Sequence, residues 1–176
     1  MKSTSREVCL IAILVAVALV ISVAESWLPA GFIPIPGVKL GLANIITLFA
    51  LCFLDLPRAC TVLVLRCLLA SLFGGGVTAL VFSLLGGLFA LFTMWLLLRT
   101  KKLSLVGVSI AGAAMHGIGQ ILAAMLMLST VSVLFYLPIL LLTAIFTGGL
   151  IGIISYVLFR RLKNIPQFMG FLSIDV

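Results

Sequence analysis

The chain is built from long, unbroken apolar runs, and nothing else in it constrains the fold as strongly. The runs Val8–Leu28, Thr78–Leu98 and Leu105–Leu128 carry almost no charge. Each matches the roughly 20 apolar residues a helix needs to cross a hydrocarbon core about 30 Å thick. Overall 64% of residues are hydrophobic and 9% charged, where a soluble globular chain has about 45–50% and about 25%. The surplus must face lipid. Backbone in lipid has to satisfy its own hydrogen bonds, and runs of this length favour helices over the alternating, about 10-residue strands of a barrel. The expected fold is therefore all-α, an integral membrane bundle. The 176 residues leave room for six crossings and no second domain, so 1–176 reads as a single transmembrane domain.

Prolines, glycines and charges divide the runs. Helices are expected at about 8–28, 40–54, 59–73, 78–98, 105–128 and 135–159. Pro29, Gly31, Pro34, Pro36 and Gly37 stop the first helix and make Pro29–Val38 a loop. Asp55, Pro57 and Arg58 break the second from the third, and Gly74, Gly75 and Gly76 close the third. The basic cluster Arg99, Lys101, Lys102 follows the fourth, and Ser129–Ser132 is a weak break before the sixth. Pro138 is tolerated in that helix's first turn. The apolar run after the basic N-terminus is too long for a secretory h-region of about 7–15 residues and is read as the first helix.

Six crossings sort the basic residues sharply. Lys2, Arg6, Arg58, Arg99, Lys101, Lys102, Arg160, Arg161 and Lys163 fall on one side, and Lys39 alone on the other. Short cytoplasmic loops are enriched in Lys and Arg, so both termini are expected on the cytoplasmic face of a bacterial cell membrane. The formal charge of +7 is then a topology signal, with no nucleic-acid partner required.

A few polar residues interrupt the spans. Arg66 lies mid-way along the third helix, where insertion of an arginine costs about 2.5–3.5 kcal/mol. It reads either as an anion or substrate contact or as a structural pair with Glu25 or backbone carbonyls. His116 and Gln120, four apart on the fifth helix, share a face that Gly112 extends. They form either a ligand-facing wall or interhelical hydrogen bonds. Glu25, near the outer end of the first helix, and Lys39 and Asn44, at the start of the second, read as pocket residues or as interface anchors and end caps. In the deduced orientation Glu25, Lys39, Asn44, Arg66, His116 and Gln120 all fall in the outer half or near the midplane, as for a pocket open to the outside. Ala12 and Ala16 on the first helix, and Gly148 and Gly152 on the sixth, have the spacing that lets another helix approach closely.

Other chemistry has no foothold. Cys9, Cys52, Cys60 and Cys67 form no C-x-x-C pair and have no histidine at ligand spacing, so they read as small hydrophobes and no metal site is expected. There is no phosphate-binding P-loop. The four acidic residues Glu7, Glu25, Asp55 and Asp175 form no cluster that could hold Mg²⁺ against a diphosphate. The chain is thus expected to be neither an enzyme nor a cofactor carrier.

Three ordered motifs carry a resemblance: P-G-V-K-L-G-L-A-N-I-I-T-L from Pro36 to Leu48, R-C-L-L-A-S-L-F-G-G-G from Arg66 to Gly76, and G-A-A-M-H-G-I-G-Q from Gly112 to Gln120. They resemble the Gx transporter family, whose members are often labelled heptaprenyl diphosphate synthase component I. That family is similar to the substrate-binding S components of energy-coupling-factor (ECF) transporters. The resemblance implies capture of a small vitamin-like compound outside the cell, and docking through the first helix onto a coupling transmembrane subunit driven by two ATPases. Ala12 and Ala16 match the A-x-x-x-A pattern of that docking helix. Pro29–Val38 would cover the pocket, with Lys39, Asn44, Arg66, His116 and Gln120 as its polar contacts. Gly117 stands where the family often has Asn. Flavin-linked relatives imply a flavin, quinone or precursor as ligand, or alternatively a non-catalytic membrane subunit of an electron-transfer complex. The synthase label implies instead a non-catalytic membrane subunit, since the paired Asp-rich motifs of prenyl synthases are absent here.

Overall fold

The computed structural model describes residues 5–27 and 39–162. The expected bundle is present, with α1 Ser5–Trp27, α2 Asn44–Phe53, α3 Leu56–Ala70, α4 Gly76–Thr100, α5 Leu105–Leu128 and α6 Leu137–Leu162. Five of these helical segments, all but α2, are long and apolar enough to cross a bilayer. Large side chains such as Val20, Phe92, Leu126, Phe146 and Leu150 stand exposed on their outer faces, which suits a lipid solvent. The chain is a multi-pass membrane protein. The Pro29–Val38 loop lies outside the described residues.

Local chemistry sets the helix ends. The Asp55 carboxylate accepts the Arg58 N–H at 3.0 Å and starts α3, with Pro57 in the first turn, a position where the missing N–H costs nothing. The Ser104 hydroxyl accepts the Gly107 N–H at 3.2 Å and starts α5. Ser129, with φ 50°, ends it. The glycine run after α3 does more than stop a helix. Ser71–Gly75 widens into a π-helical turn, and Gly76, with φ 63° and ψ −177°, follows it and opens α4. That backbone region is essentially open to glycine alone. Val131–Tyr136 forms a short 3₁₀ turn leading into α6, and Pro138 falls in the first turn of α6.

The α4–α5 and α5–α6 interfaces are the most extensive, while α1 lies at the periphery against α3. Small residues close these seams. A Cβ on Gly119 would lie 2.8 Å from Gly86 Cα and 2.8 Å from the Leu85 carbonyl oxygen. On Gly148 it would lie 2.7 Å from Ile110 Cα, and on Gly152 2.6 Å from Val106 Cα. Gly148 and Gly152 are therefore buried against α5, and their spacing serves the bundle itself.

α2 departs most from the sequence expectation. Leu40–Ala43 lie outside the helix, and its 10 residues span about 15 Å at 1.5 Å per residue, half the hydrocarbon thickness. Nearly every side chain of α2 is buried. Its C-terminal Phe53 ring sits 5.5 Å from the Phe159 ring, next to the basic end of α6, so α2 fills the half of the bundle nearest that end. Non-helical backbone survives at membrane depth only when it is enclosed by protein, and in the lead-in to α2 Gly41 and Ala43 are buried while Leu40 is exposed.

Candidate functional site

The site forms where that irregular lead-in meets α1, α3, α4 and α5. Gly41 has φ +82°, and a Cβ there would lie 2.9 Å from Asn44 Nδ2 and 3.0 Å from His116 Cδ2. Only glycine allows the turn and the close approach together. The Gly41 N–H donates to Glu25 Oε1. A carboxylate from α1 thus satisfies a backbone donor that precedes α2 and has no helical partner.

Ser22, one turn before Glu25, ties in two cations. Arg66 Nη1 donates to Ser22 Oγ at 3.0 Å, and Lys39 Nζ donates to the Ser22 carbonyl at 3.4 Å. No ion pair within 4.0 Å joins Arg66 or Lys39 to Glu25 among the described residues. The structural pair of Arg66 with Glu25 is therefore not formed. Lys39 is partly buried.

On the other side of Gly41, His116 and Gln120 project from α5 with Nε2 and Nε2 3.1 Å apart. Gly86 on α4 makes room for them, since a Cβ there would lie 2.9 Å from the imidazole and 3.1 Å from Gln120 Cγ. A small cavity between α5, α6 and the lead-in is lined by Lys39, His116, Gly117, Gln120, Thr143 and Thr147, among others. Glu25, Asn44 and Arg66 do not line it.

All six residues singled out by the sequence thus share one buried region. Five are nearly inaccessible, from Gln120 at 0% to Glu25 at 6%. Many of their polar atoms lack partners among the described residues: Asn44 Nδ2 and Oδ1, Arg66 Nε and Nη2, His116 Nδ1 and Gln120 Oε1. Buried polar atoms are normally paired, and leaving one unpaired costs about 1–3 kcal/mol. The sequence reading missed Ser22, Gly41, Gly86, Thr143 and Thr147. For Thr143 and Thr147 the signal was available, as hydroxyls four apart on one face of an apolar helix.

A family model described as heptaprenyl diphosphate synthase component I matches residues 14–158. The chain belongs to that family. The match spans every element of the site, from Ser22 and Glu25 to Thr147. As a component I protein, the chain carries a label that implies further subunits. Nothing among curated proteins or solved structures matches it.

The face proposed for partner docking lies away from the site. On α1 the buried positions are Leu14, Val15, Ala18, Ser22 and Glu25, and Ala12 and Ala16 are exposed on the opposite side.

Proposed function

We propose that this component I protein is a membrane substrate-capture component of the ECF S type. It would bind a small vitamin-like, flavin- or quinone-related compound from outside and hand it to a coupling transmembrane subunit and two ATPases. The observation that carries this reading is the cluster of six polar side chains, four of which, Asn44, Arg66, His116 and Gln120, are buried with donors or acceptors unpaired among the described residues. A structural network would use those atoms internally, because a half-satisfied buried network is worse than an apolar one. The exposed Ala12 and Ala16 on α1 supply a surface on which a partner helix could pack closely. In this reading both termini are cytoplasmic and the pocket faces outward.

The test is a mild-detergent pull-down of the tagged chain from its native membrane, with mass spectrometry of associated proteins and small molecules. Recovery of a coupling subunit with two ATPases, together with about one ligand per chain, is the expected result. A second reading rests on the family description, a non-catalytic membrane subunit of a heptaprenyl diphosphate synthase. Recovery of a soluble prenyl synthase without ATPases would establish it and remove the transporter.

A further inference from the structure

Arginine presents five N–H donors on a rigid plane, and its edges can be accounted for separately. At Arg66, Nη1 is engaged by Ser22 Oγ. Nε and Nη2, which together form the side-on edge of the guanidinium, have no partner among the described residues, and the residue is 5% exposed. Two parallel N–H groups on one edge match the two oxygens of a carboxylate or phosphate, and such bidentate, charge-assisted contacts are among the strongest hydrogen bonds in proteins. The surrounding formal charges point the same way. Lys39 and Arg66 contribute two positive charges and Glu25 one negative, and the Glu25 carboxylate is held by the Gly41 N–H.

The uncharged part of the region is equally specific. Asn44 is 3% exposed, and both its amide donor and its amide acceptor are unpaired, as is the Gln120 carbonyl. A side-chain amide with both ends free complements a group that offers an acceptor beside a donor.

We propose that the side-on edge of Arg66 seats a two-oxygen anionic group, and that the ligand carries beside it an amide-like edge read by Asn44. This rests on the reading of the cluster as a ligand pocket and names the class that pocket takes: a small organic anion with a neutral donor–acceptor edge. Arg66 contacts the ligand directly, while Ser22 orients the guanidinium so that its fork stays open.

Matched probes test it on the full chain in mild detergent, with thermal unfolding as the readout. The probes are 4-carbamoylbenzoate, its uncharged counterpart terephthalamide, and phenyl phosphate. The carboxylate is expected to protect saturably, the diamide at least tenfold more weakly. Arg66→Lys, which keeps the charge and loses the fork, is expected to weaken carboxylate binding at least tenfold. Stronger protection by phenyl phosphate would assign the fork to a phosphate. Equal protection by the diamide, unchanged binding in Arg66→Lys, or no protection by either anion would overturn the proposal. Should Arg66→Lys fail to fold, the carboxylate-to-diamide ratio in the unaltered protein decides alone. An uncharged ligand recovered with the coupling subunit would overturn the anion class and leave the transporter standing.

Discussion

The glycine seam between α4 and α5 gives the most direct test of how the site is held. Replacing Gly119 with Ala would place a methyl carbon 2.8 Å from Gly86 Cα and 2.8 Å from the Leu85 carbonyl oxygen. Favourable carbon contacts lie at about 3.5–4.0 Å, so the two helices would have to part by roughly 0.7–1.2 Å. The obstructing atoms are backbone and cannot rotate aside. Overpacking of this kind costs about 1–3 kcal/mol. At about 2–4 °C per kcal/mol for a chain of this size, the expected fall in Tm is roughly 2–12 °C. The same parting would move Gly86 away from His116 and Gln120, so probe binding should weaken along with stability. Gly149, on α6 with nothing within 4 Å of an added methyl, is the control. Gly149→Ala should match the parent or exceed it, since alanine is the better helix former by about 1 kcal/mol. Fluorescence-detected unfolding in detergent measures both. If Gly119→Ala melts with the parent protein, the seam is not closed as described and the placement of His116 loses its support.

Other perturbations follow from the same geometry. Asp55→Ala removes the cap of α3 and should cost about 0.5–2 kcal/mol, read as a lower Tm. Glu7→Gln breaks the 2.9 Å pair with Arg58, in which the Arg58 and Glu7 side chains are 26% and 18% exposed; it should cost no more than about 1 kcal/mol, in keeping with other water-accessible pairs. In detergent a maleimide should modify exposed Cys9 and spare buried Cys52 and Cys67, with the count read by intact-protein mass. In sealed right-side-out vesicles an impermeant maleimide should miss Cys9 until the membrane is opened, and immediate labelling would reverse the proposed orientation. Ala16→Leu adds bulk to an exposed face of α1, so Tm should hold while co-purification of the coupling subunit and ATPases is lost.

The bundle was legible because hydropathy and helix breakers act locally. Asp55 with Pro57, and Ser104 before α5, mark ends that need no tertiary information. The six polar residues were legible because each is costly in lipid and must be enclosed. What stayed hidden depends on distant partners. Gly41 and Gly86 look like ordinary membrane-helix glycines until His116 is seen to fill the space beside both. Ser22 is one small hydroxyl among several until Arg66, 44 positions away, turns toward it. The shortness of α2 was masked because Leu40–Ala43 are apolar enough to continue a helix, and the chain instead turns at Gly41 to meet Glu25. The spacing of Gly148 and Gly152 was visible, but only α5 decides that they face inward.

α1 is packed into the core along one face, through Leu14, Val15 and Ala18, and bare along the other. At one end Glu7 grips Arg58; toward the other, Ser22 and Glu25 hold Arg66 and Gly41. Ala12 and Ala16 lie between these fixings, on the side facing away from the bundle. A partner seated there would press on the same helix whose opposite face carries Leu14, Val15 and Ala18 into the core and the Ser22 hydroxyl to Arg66.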